Sequence, residues 1–306
     1  MSVKIFIDGE SGTTGLGIRE RLARLTDVAV LSLEATDRKS AQAKRDVLAR
    51  VDLAVLCLPD EAARQTAALI EDMGDRGPRL LDASSAHRVE SGWVYGFPEL
   101  QKDQPALIAK ARKVSNPGCY ATGAIALLRP LVEAGLIPPD FPLVIHAVSG
   151  YSGGGRSMIA AYESGAAPPF ESYALELDHK HIPEIERYAM LKRRPLFAPS
   201  VGNFRQGMLV NVPLHLDELP GAPDPADLES VLRNRYGDSR YVRVIAPEGG
   251  GRLEPEALNG TNMMELRVYG QAARRQAILT ARLDNLGKGA SGAAIQNIEL
   301  MFALAG

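Results

Sequence analysis

Apolar positions recur up to residue 119 in two alternating rhythms. Runs at 3–8, 28–33, 53–58 and 79–83 are short, rich in Val, Ile and Leu, and read as strands. The run 53–58 is continuously apolar, as a parallel strand covered on both faces must be. Between these runs, 16–25, 40–50 and 62–73 carry apolar residues at helical spacing, the last opened by Pro59, Asp60 and Glu61. Strand and helix in alternation predict a doubly wound parallel sheet. Residues 93–100, with Gly96 and Pro98, read as an irregular loop, and a short strand ends at Lys113-Val114. Past residue 140 the rhythm changes. Longer apolar runs at 143–148, 208–216, 241–246, 263–269 and 277–283 have one helical segment, 226–236, among them, and a last helix covers 293–303. Long strands with few helices predict an α+β second domain with a mainly antiparallel sheet. No internal repeat or low-complexity segment interrupts the chain.

Two junctions between strand and helix carry chemistry. At the first, Gly9-Glu10-Ser11-Gly12-Thr13-Thr14-Gly15 follows the opening strand. A strand, a glycine-rich turn and a helix together let backbone N–H groups cradle a pyrophosphate at a helix N-terminus, the arrangement of Rossmann-type dinucleotide sites. The spacing is G-x-x-G-x-x-G, so a turn without a ligand stays open as a reading. After the second strand, Glu34 can take a ribose 2′-OH while Arg38 and Lys39 can meet a 2′-phosphate, or the three can form a solvated loop. At the edge of the fourth strand, Ser84, Ser85 and Arg88 suit an anionic ligand as well as a surface ion pair.

The second junction is Ser115-Asn116-Pro117-Gly118-Cys119-Tyr120-Ala121-Thr122-Gly123. Pro117-Gly118 forces a tight turn ahead of a helix over 122–133, which Gly135 and Pro138-Pro139 close. Cys119 thereby lands at or next to a helix N-terminus, where the dipole favours the thiolate, the form that attacks carbonyl carbon. The alternative is a small buried hydrophobe, the reading taken for Cys57 inside the third strand. Among the five histidines, His146 and His215 lie in strands and read as packing residues. His179 and His181 belong to a polar, loop-like segment, 177–185, with Asp178, Lys180 and Glu184. An imidazole there can donate a proton to a developing alkoxide. The His-x-His pair lacks a second cluster to complete a zinc site, so no metal is expected. Ser149-Gly150-Tyr151-Ser152-Gly153-Gly154-Gly155-Arg156 reads as a mobile glycine-rich loop.

Charge and composition exclude other classes. With 35 Lys and Arg against 37 Asp and Glu, no bulk field points to nucleic acid or a membrane surface. No apolar run reaches the roughly 20 residues of a membrane span, and no signal-peptide pattern precedes the first strand. Two cysteines in unrelated contexts make no disulfide framework, so the cytosol is the expected compartment.

The motifs together resemble the N-acetyl-gamma-glutamyl-phosphate reductases of arginine biosynthesis, in the shorter, second type of that family. The resemblance rests on the 9–15 and 115–122 segments, Asp82-Ala83-Ser84-Ser85-Ala86-His87-Arg88, Tyr95-Gly96-Phe97-Pro98-Glu99-Leu100 and 149–156. It is completed by His179-Lys180-His181-Ile182-Pro183-Glu184-Ile185 and by 285–297, beginning Asn285-Leu286-Gly287-Lys288-Gly289. Aspartate-semialdehyde dehydrogenases, which share the fold and the nucleophilic cysteine, rank second. The resemblance implies Cys119 as nucleophile and His179 as acid/base, with Ser149, Arg156, Arg88 and Asn116 near the substrate, the Asn116 amide joining backbone N–H at Cys119 in an oxyanion hole. It implies NADP(H) held by Gly9, Ser11, Gly12, Thr13, Thr14 and Gly15, by Arg38 and Lys39, and by Asn285, Lys288 and Gly289. It further implies an acyl-phosphate substrate, a homo-oligomer (dimer or tetramer), and a dinucleotide-binding domain over 1–118 completed by 286–306 around a catalytic domain over 119–285. A cysteine hydrolase has no use for the glycine-rich turn, and a non-catalytic dinucleotide sensor has none for Cys119 with His179.

Overall fold

The structure, a computed structural model, describes residues 2–34, 36, 37, 40–247, 249 and 251–304. The chain forms two compact units, residues 1–117 with 290–306, and residues 118–289.

The first unit holds β1 (Val3–Asp8), α1 (Thr13–Leu22), β2 (Val28–Leu31), α2 (Ala41–Leu48), β3 (Leu53–Leu56), α3 (Asp60–Asp72), β4 (Arg79–Asp82), β5 (Val94–Tyr95), α4 (Gln104–Lys110) and β6 (Lys113–Ser115). Its six strands run in the order β2-β1-β3-β4-β6-β5, every pairing parallel. The period-two geometry of a strand sends alternate residues to opposite faces, and both faces are apolar here. Ile5, Ile7, Leu53, Val55 and Leu81 pack with Ile18, Leu22 and Ile108 on one side. Phe6, Ala54, Leu56 and Leu80 pack with Val47, Leu48, Ala67 and Ile70 on the other. Two cores on one sheet make the doubly wound layer. The segment read as an irregular loop contributes the two-residue strand β5, and the helix α4 had no counterpart in the apolar pattern.

The second unit holds α5 (Cys119–Glu133), β7 (Val144–Gly150), α6 (Gly155–Glu163), β8 (Phe170–Ser172), α7 (Ile182–Tyr188), β9 (Leu196–Gly202), β10 (Met208–His215), α8 (Pro225–Tyr236), β11 (Val242–Val244), β12 (Met264–Gln271) and β13 (Gln276–Leu283). Its sheet, β11-β12-β13-β10-β7-β9-β8, is mixed: β11–β12 and β7–β9 pair in parallel and the other four pairings are antiparallel. Helix α5 is buried along nearly its whole length against β10 and β13. Gly123 permits that approach, because a Cβ there would stand 2.9 Å from Val210 Cγ2. Tyr236 Oη donates to the Ala126 carbonyl at 2.9 Å and ties α8 to α5. The region read as one mobile loop, 149–156, is the end of β7, a tight 3-10 turn over Tyr151–Gly154 and the start of α6. The segment 177–185 is loop only as far as His181, where α7 begins.

The chain leaves this unit through a π-helical turn, Gly287–Ser291, and ends in α9 (Gly292–Phe302), whose Ala294, Ile298 and Met301 complete the first face of the parallel sheet. Among the described residues no helix is long and apolar enough to cross a membrane.

Candidate active site

In the first unit the strand order reverses between β2-β1 and β3, and ligands of open α/β sheets bind at such a point beyond the strand ends. The chain turns out of β1 at Gly9 with φ +88°, a conformation L side chains rarely adopt. A Cβ there would stand 2.2 Å from the Cys57 carbonyl oxygen, and one at Gly15 would stand 2.5 Å from the Gly9 carbonyl oxygen. Gly12 donates its N–H to Gly9 O at 3.0 Å and caps α1, whose first turn is Thr13, Thr14 and Gly15. The first bond of the helical ladder is Leu16 N–H to Gly12 O at 2.8 Å, so the N–H groups of 13–15 lie ahead of it at the positive end of the dipole. A cavity of about 270 Å³ opens beside this turn, lined by Asp8, Gly9, Glu10, Ser11, Leu33, Lys44 and Leu58. A backbone that only glycine permits, a helix terminus and an apolar-walled cavity fit a dinucleotide.

The charged side chains of that cavity are all in ion pairs. Lys44 Nζ lies 2.7 Å from Asp8 Oδ2 and 3.2 Å from Thr66 Oγ1. Glu10 forms an ion pair with Arg19 and accepts from Ser32 Oγ at 2.8 Å. The sequence reading passed over Lys44, because nothing in its helix distinguishes it from a solvated lysine. Arg38 and Lys39 lie outside the described residues.

Beyond β4, the buried Asp82 carboxylate accepts from Ser84 N–H and Oγ at 2.9 and 2.8 Å and meets His87 Nδ1 at 2.5 Å. His87 stacks on Trp93 with centroids 4.1 Å apart. This knot holds the buried Arg88, whose Nε donates to the Asn116 carbonyl at 3.1 Å. The Asn116 amide staples the first unit internally. Its Nδ2 donates to Ala290 O at 3.0 Å and its Oδ1 accepts from Asn297 Nδ2 at 3.1 Å.

In the second unit, Cys119 is the first residue of α5, preceded by Gly118 as cap. Thr122 N–H bonds to Gly118 O at 2.8 Å, so the N–H groups of 119–121 lie ahead of the ladder. Gly118 N–H donates to Glu184 Oε2 at 3.1 Å, and Glu184 is 1 % exposed on α7. Its other oxygen lies 3.9 Å from His181 Nε2. Gly289 closes against the nucleophile: a Cβ there would stand 2.7 Å from Cys119 Cβ. Its small size makes room for Cys119.

Aromatic rings surround the histidines. The ring of His179 meets Tyr120, Tyr173, Phe197 and His181 edge-on or tilted, at centroid distances of 5.9, 5.8, 5.0 and 4.6 Å. Its Nδ1 accepts the His181 backbone N–H at 3.1 Å. Tyr173 Oη donates to Tyr120 Oη at 3.2 Å, which donates to Ser200 O at 3.1 Å. Burial pushes the Tyr120 phenol well above its ordinary range, reinforced by Tyr173 and Cys119 and opposed by a Ser149 hydrogen bond. Burial also pushes Tyr173 up, with Cys119 adding to it. The structure thus brings Cys119, His179, Ser149 and both tyrosines together. Tyr120, Tyr173 and Glu184 were missed as members of this group; the three-residue step from His181 to Glu184 at a helix start was the one available signal.

The remaining candidates sit around this cluster. Arg156 is exposed on the first turn of α6. Asn285 accepts from Gly207 N–H at 2.8 Å and donates to Ser152 Oγ at 2.9 Å, fixing the turn after Ser149. Lys288 is fully buried with Nζ 5.4 Å from the Tyr241 ring centre.

Comparison with known proteins agrees with this layout. The sequence model described as "Semialdehyde dehydrogenase, NAD binding domain" matches residues 4–108, and "Semialdehyde dehydrogenase, dimerisation domain" matches residues 119–285. An N-acetyl-gamma-glutamyl-phosphate reductase of Chelativorans sp. (strain BNC1) is 51 % identical over 310 residues, 99 % of each chain. N-acetyl-gamma-glutamyl-phosphate reductase 2 of Pseudomonas putida is 50 % identical over 303 residues, covering 97 % of this chain and 96 % of its own. Among solved structures, aspartate semialdehyde dehydrogenase II of Vibrio cholerae, complexed with ASA, superposes with a TM-score of 0.73 at 14 % identity over 99 % of each chain. A probable aspartate-semialdehyde dehydrogenase of Pseudomonas aeruginosa gives the same score at 18 % identity, again over 99 % of each. At such identities the structural likeness speaks for the fold alone.

Proposed function

Because the chain belongs to the N-acetyl-gamma-glutamyl-phosphate reductase family of semialdehyde dehydrogenases, we propose that it reduces N-acetyl-gamma-glutamyl phosphate to N-acetylglutamate 5-semialdehyde and phosphate, with NADPH, in arginine biosynthesis. The observation that carries this reading is Cys119 as the first residue of a buried helix, with His179 packed on the neighbouring Tyr120, in a chain half identical to named reductases over nearly its whole length.

The α5 terminus stabilises the Cys119 thiolate, which attacks the acyl carbon. The C–O bond to phosphate breaks and leaves an acyl thioester on Sγ. Backbone N–H groups at the start of α5 face the oxygen that becomes negative, and His179 is the acid/base that gives that oxygen a proton and takes it back as the aldehyde forms. Ser149 and Arg156, with Arg88, are the groups proposed for the substrate; the exposed Arg156 guanidinium suits a carboxylate or phosphate. NADPH, when bound, supplies the hydride that takes the thioester to the aldehyde level. Gly9, Ser11, Gly12, Thr13, Thr14 and Gly15 would hold its pyrophosphate, and Arg38 with Lys39 its 2′-phosphate.

A homo-oligomer, dimer or tetramer, belongs to the same reading. Helices cover one face of the mixed sheet, while Val144, Leu196, Ile278 and Phe170 stand 37 to 55 % exposed on the other, apolar side chains that a second copy would cover. A cytoplasmic site of action fits two cysteines that are both free thiols.

The test is the reverse reaction. With N-acetylglutamate 5-semialdehyde, phosphate and NADP, the protein is expected to form NADPH at a rate that vanishes without phosphate and falls at least tenfold with NAD or with aspartate semialdehyde. Turnover independent of phosphate, or preference for aspartate semialdehyde, would replace this reading.

A further inference from the structure

We propose that the Tyr173 hydroxyl is a substrate-binding group that accepts the amide N–H of an Nα-acylated amino-acid substrate, and so selects the acylated chain beside Cys119. The proposal rests on the acyl-phosphate reading above and names the group that reads the acetamido end of that substrate.

The direction of the bonds fixes what Tyr173 can offer. A carbonyl oxygen can only accept, so the 3.1 Å bond between Tyr120 Oη and Ser200 O uses the single Tyr120 proton. The 3.2 Å bond between the two phenols therefore carries the Tyr173 proton, with Tyr120 Oη as its acceptor. Ser149 bonds to the same Tyr120 oxygen, which leaves Tyr120 no capacity for a ligand. Tyr173 Oη ends the chain with its proton committed and lone pairs to spare. It meets a ligand as an acceptor alone.

The framework keeps this polarity from reversing. Tyr120 is sealed in the core and packs against Phe197 with centroids 5.4 Å apart. Both tyrosines are anchored to β9: Tyr173 N–H donates to Pro199 O at 3.2 Å, and Ser200, the next residue, takes the Tyr120 proton. Ala174, at φ +51°, turns the chain away directly after Tyr173. Burial pushes both phenols up, so the chain keeps its two protons at neutral pH. Tyr173 is half-buried where Tyr120 is closed off, and it is the member of the pair that a ligand can reach.

The position suits the far end of the substrate. Tyr120 follows Cys119 at the start of α5, and Tyr173 stands one phenol further back. The acetamido group lies at the opposite end of the chain from the acyl phosphate, so it needs a partner set back from the nucleophile. N-acetyl-gamma-glutamyl phosphate offers acceptors at its carboxylate, its phosphate and both its carbonyls. Its amide N–H is the one donor that stays on the substrate at neutral pH. A phenol that can only accept repels the first group and pairs with the N–H, and a site built around such a pair rejects the analogue that lacks it. The nicotinamide carboxamide of the cofactor carries N–H as well, and the test separates the two sources.

Two measurements test this. The first is isothermal titration with N-acetylglutamate and with 2-acetoxyglutarate, in which an ester oxygen replaces the N–H. The parent should bind the amide roughly 3- to 10-fold tighter, the span of one hydrogen bond. Tyr173→Phe, folded by circular dichroism, should bind the two alike. Tyr120→Phe keeps the Tyr173 oxygen but frees its proton, so it should narrow the preference as well. Equal binding by the parent, or the full preference kept in either variant, overturns the proposal. The second measurement is the reverse assay. Tyr173→Phe should raise the KM for N-acetylglutamate 5-semialdehyde by the same factor, with kcat within about twofold of the parent and the KM for NADP unchanged. A rise in the KM for NADP alone would give the oxygen to the nicotinamide carboxamide and sink the idea. A parent that discriminates in titration but does not turn over would instead fault the assigned reaction while leaving the N–H contact established.

Discussion

Cys57 and Cys119 carry the same group in opposite surroundings. Burial at the end of β3, with Asp82 and Asp8 nearby, pushes the Cys57 thiol up to about 12, whereas Cys119 heads a helix. Iodoacetamide near pH 7.5 is therefore expected to label Cys119 alone in the native protein, read by peptide mass spectrometry; equal labelling of both would contradict the helix-terminus account. Cys57 also sets a pH dependence. Its folded pKa lies above the ordinary thiol value, so its preference for the folded state is complete below about pH 9 and is lost as pH rises towards 12. Cys57→Ala should flatten that alkaline decline in urea midpoints measured at about pH 8 and about pH 10.5.

At the scale of elements, the start of α5 depends on α7. Glu184 receives the Gly118 N–H in a buried, charge-assisted bond, so removing its carboxylate leaves a buried donor without its acceptor. Glu184→Ala should cost about 1–3 kcal/mol of stability. It should also slow Cys119 alkylation, because the turn that seats the thiol loosens. Glu184→Gln keeps an acceptor and should lose less on both counts. Urea unfolding with iodoacetamide rates on the three proteins decides this, and identical stabilities would remove Glu184 from the account.

For the whole molecule, each unit has its own core, and Val144, Phe170, Leu196 and Ile278 stand exposed on the open face of the mixed sheet. If a second copy covers it, Leu196→Asp with Ile278→Asp should convert an oligomer to the monomer mass in light scattering while the circular dichroism spectrum stays the same. An unchanged mass would place the contact elsewhere.

The apolar rhythm was enough to determine the alternation of β1 through β4 with α1 to α3, the change to a strand-rich second unit, and the two glycine turns that open α1 and α5. These follow from local physics: strands of period two, helices of period 3.6, and turns that only Gly and Pro permit. Cys119 was legible for the same reason, since its role depends on residues beside it in the chain. Elements short of local signal escaped: α4, β5, β8 and β9 are stabilised by the partners they pack or pair with. The site divided along the same line. Asn116, Lys288 and Gly289 have contacts that no motif announces: a staple inside the first unit, burial beside Tyr241 and clearance for Cys119. Glu184 and the Tyr120–Tyr173 pair enter the site only because α7, β9 and the segment after β8 converge on the start of α5.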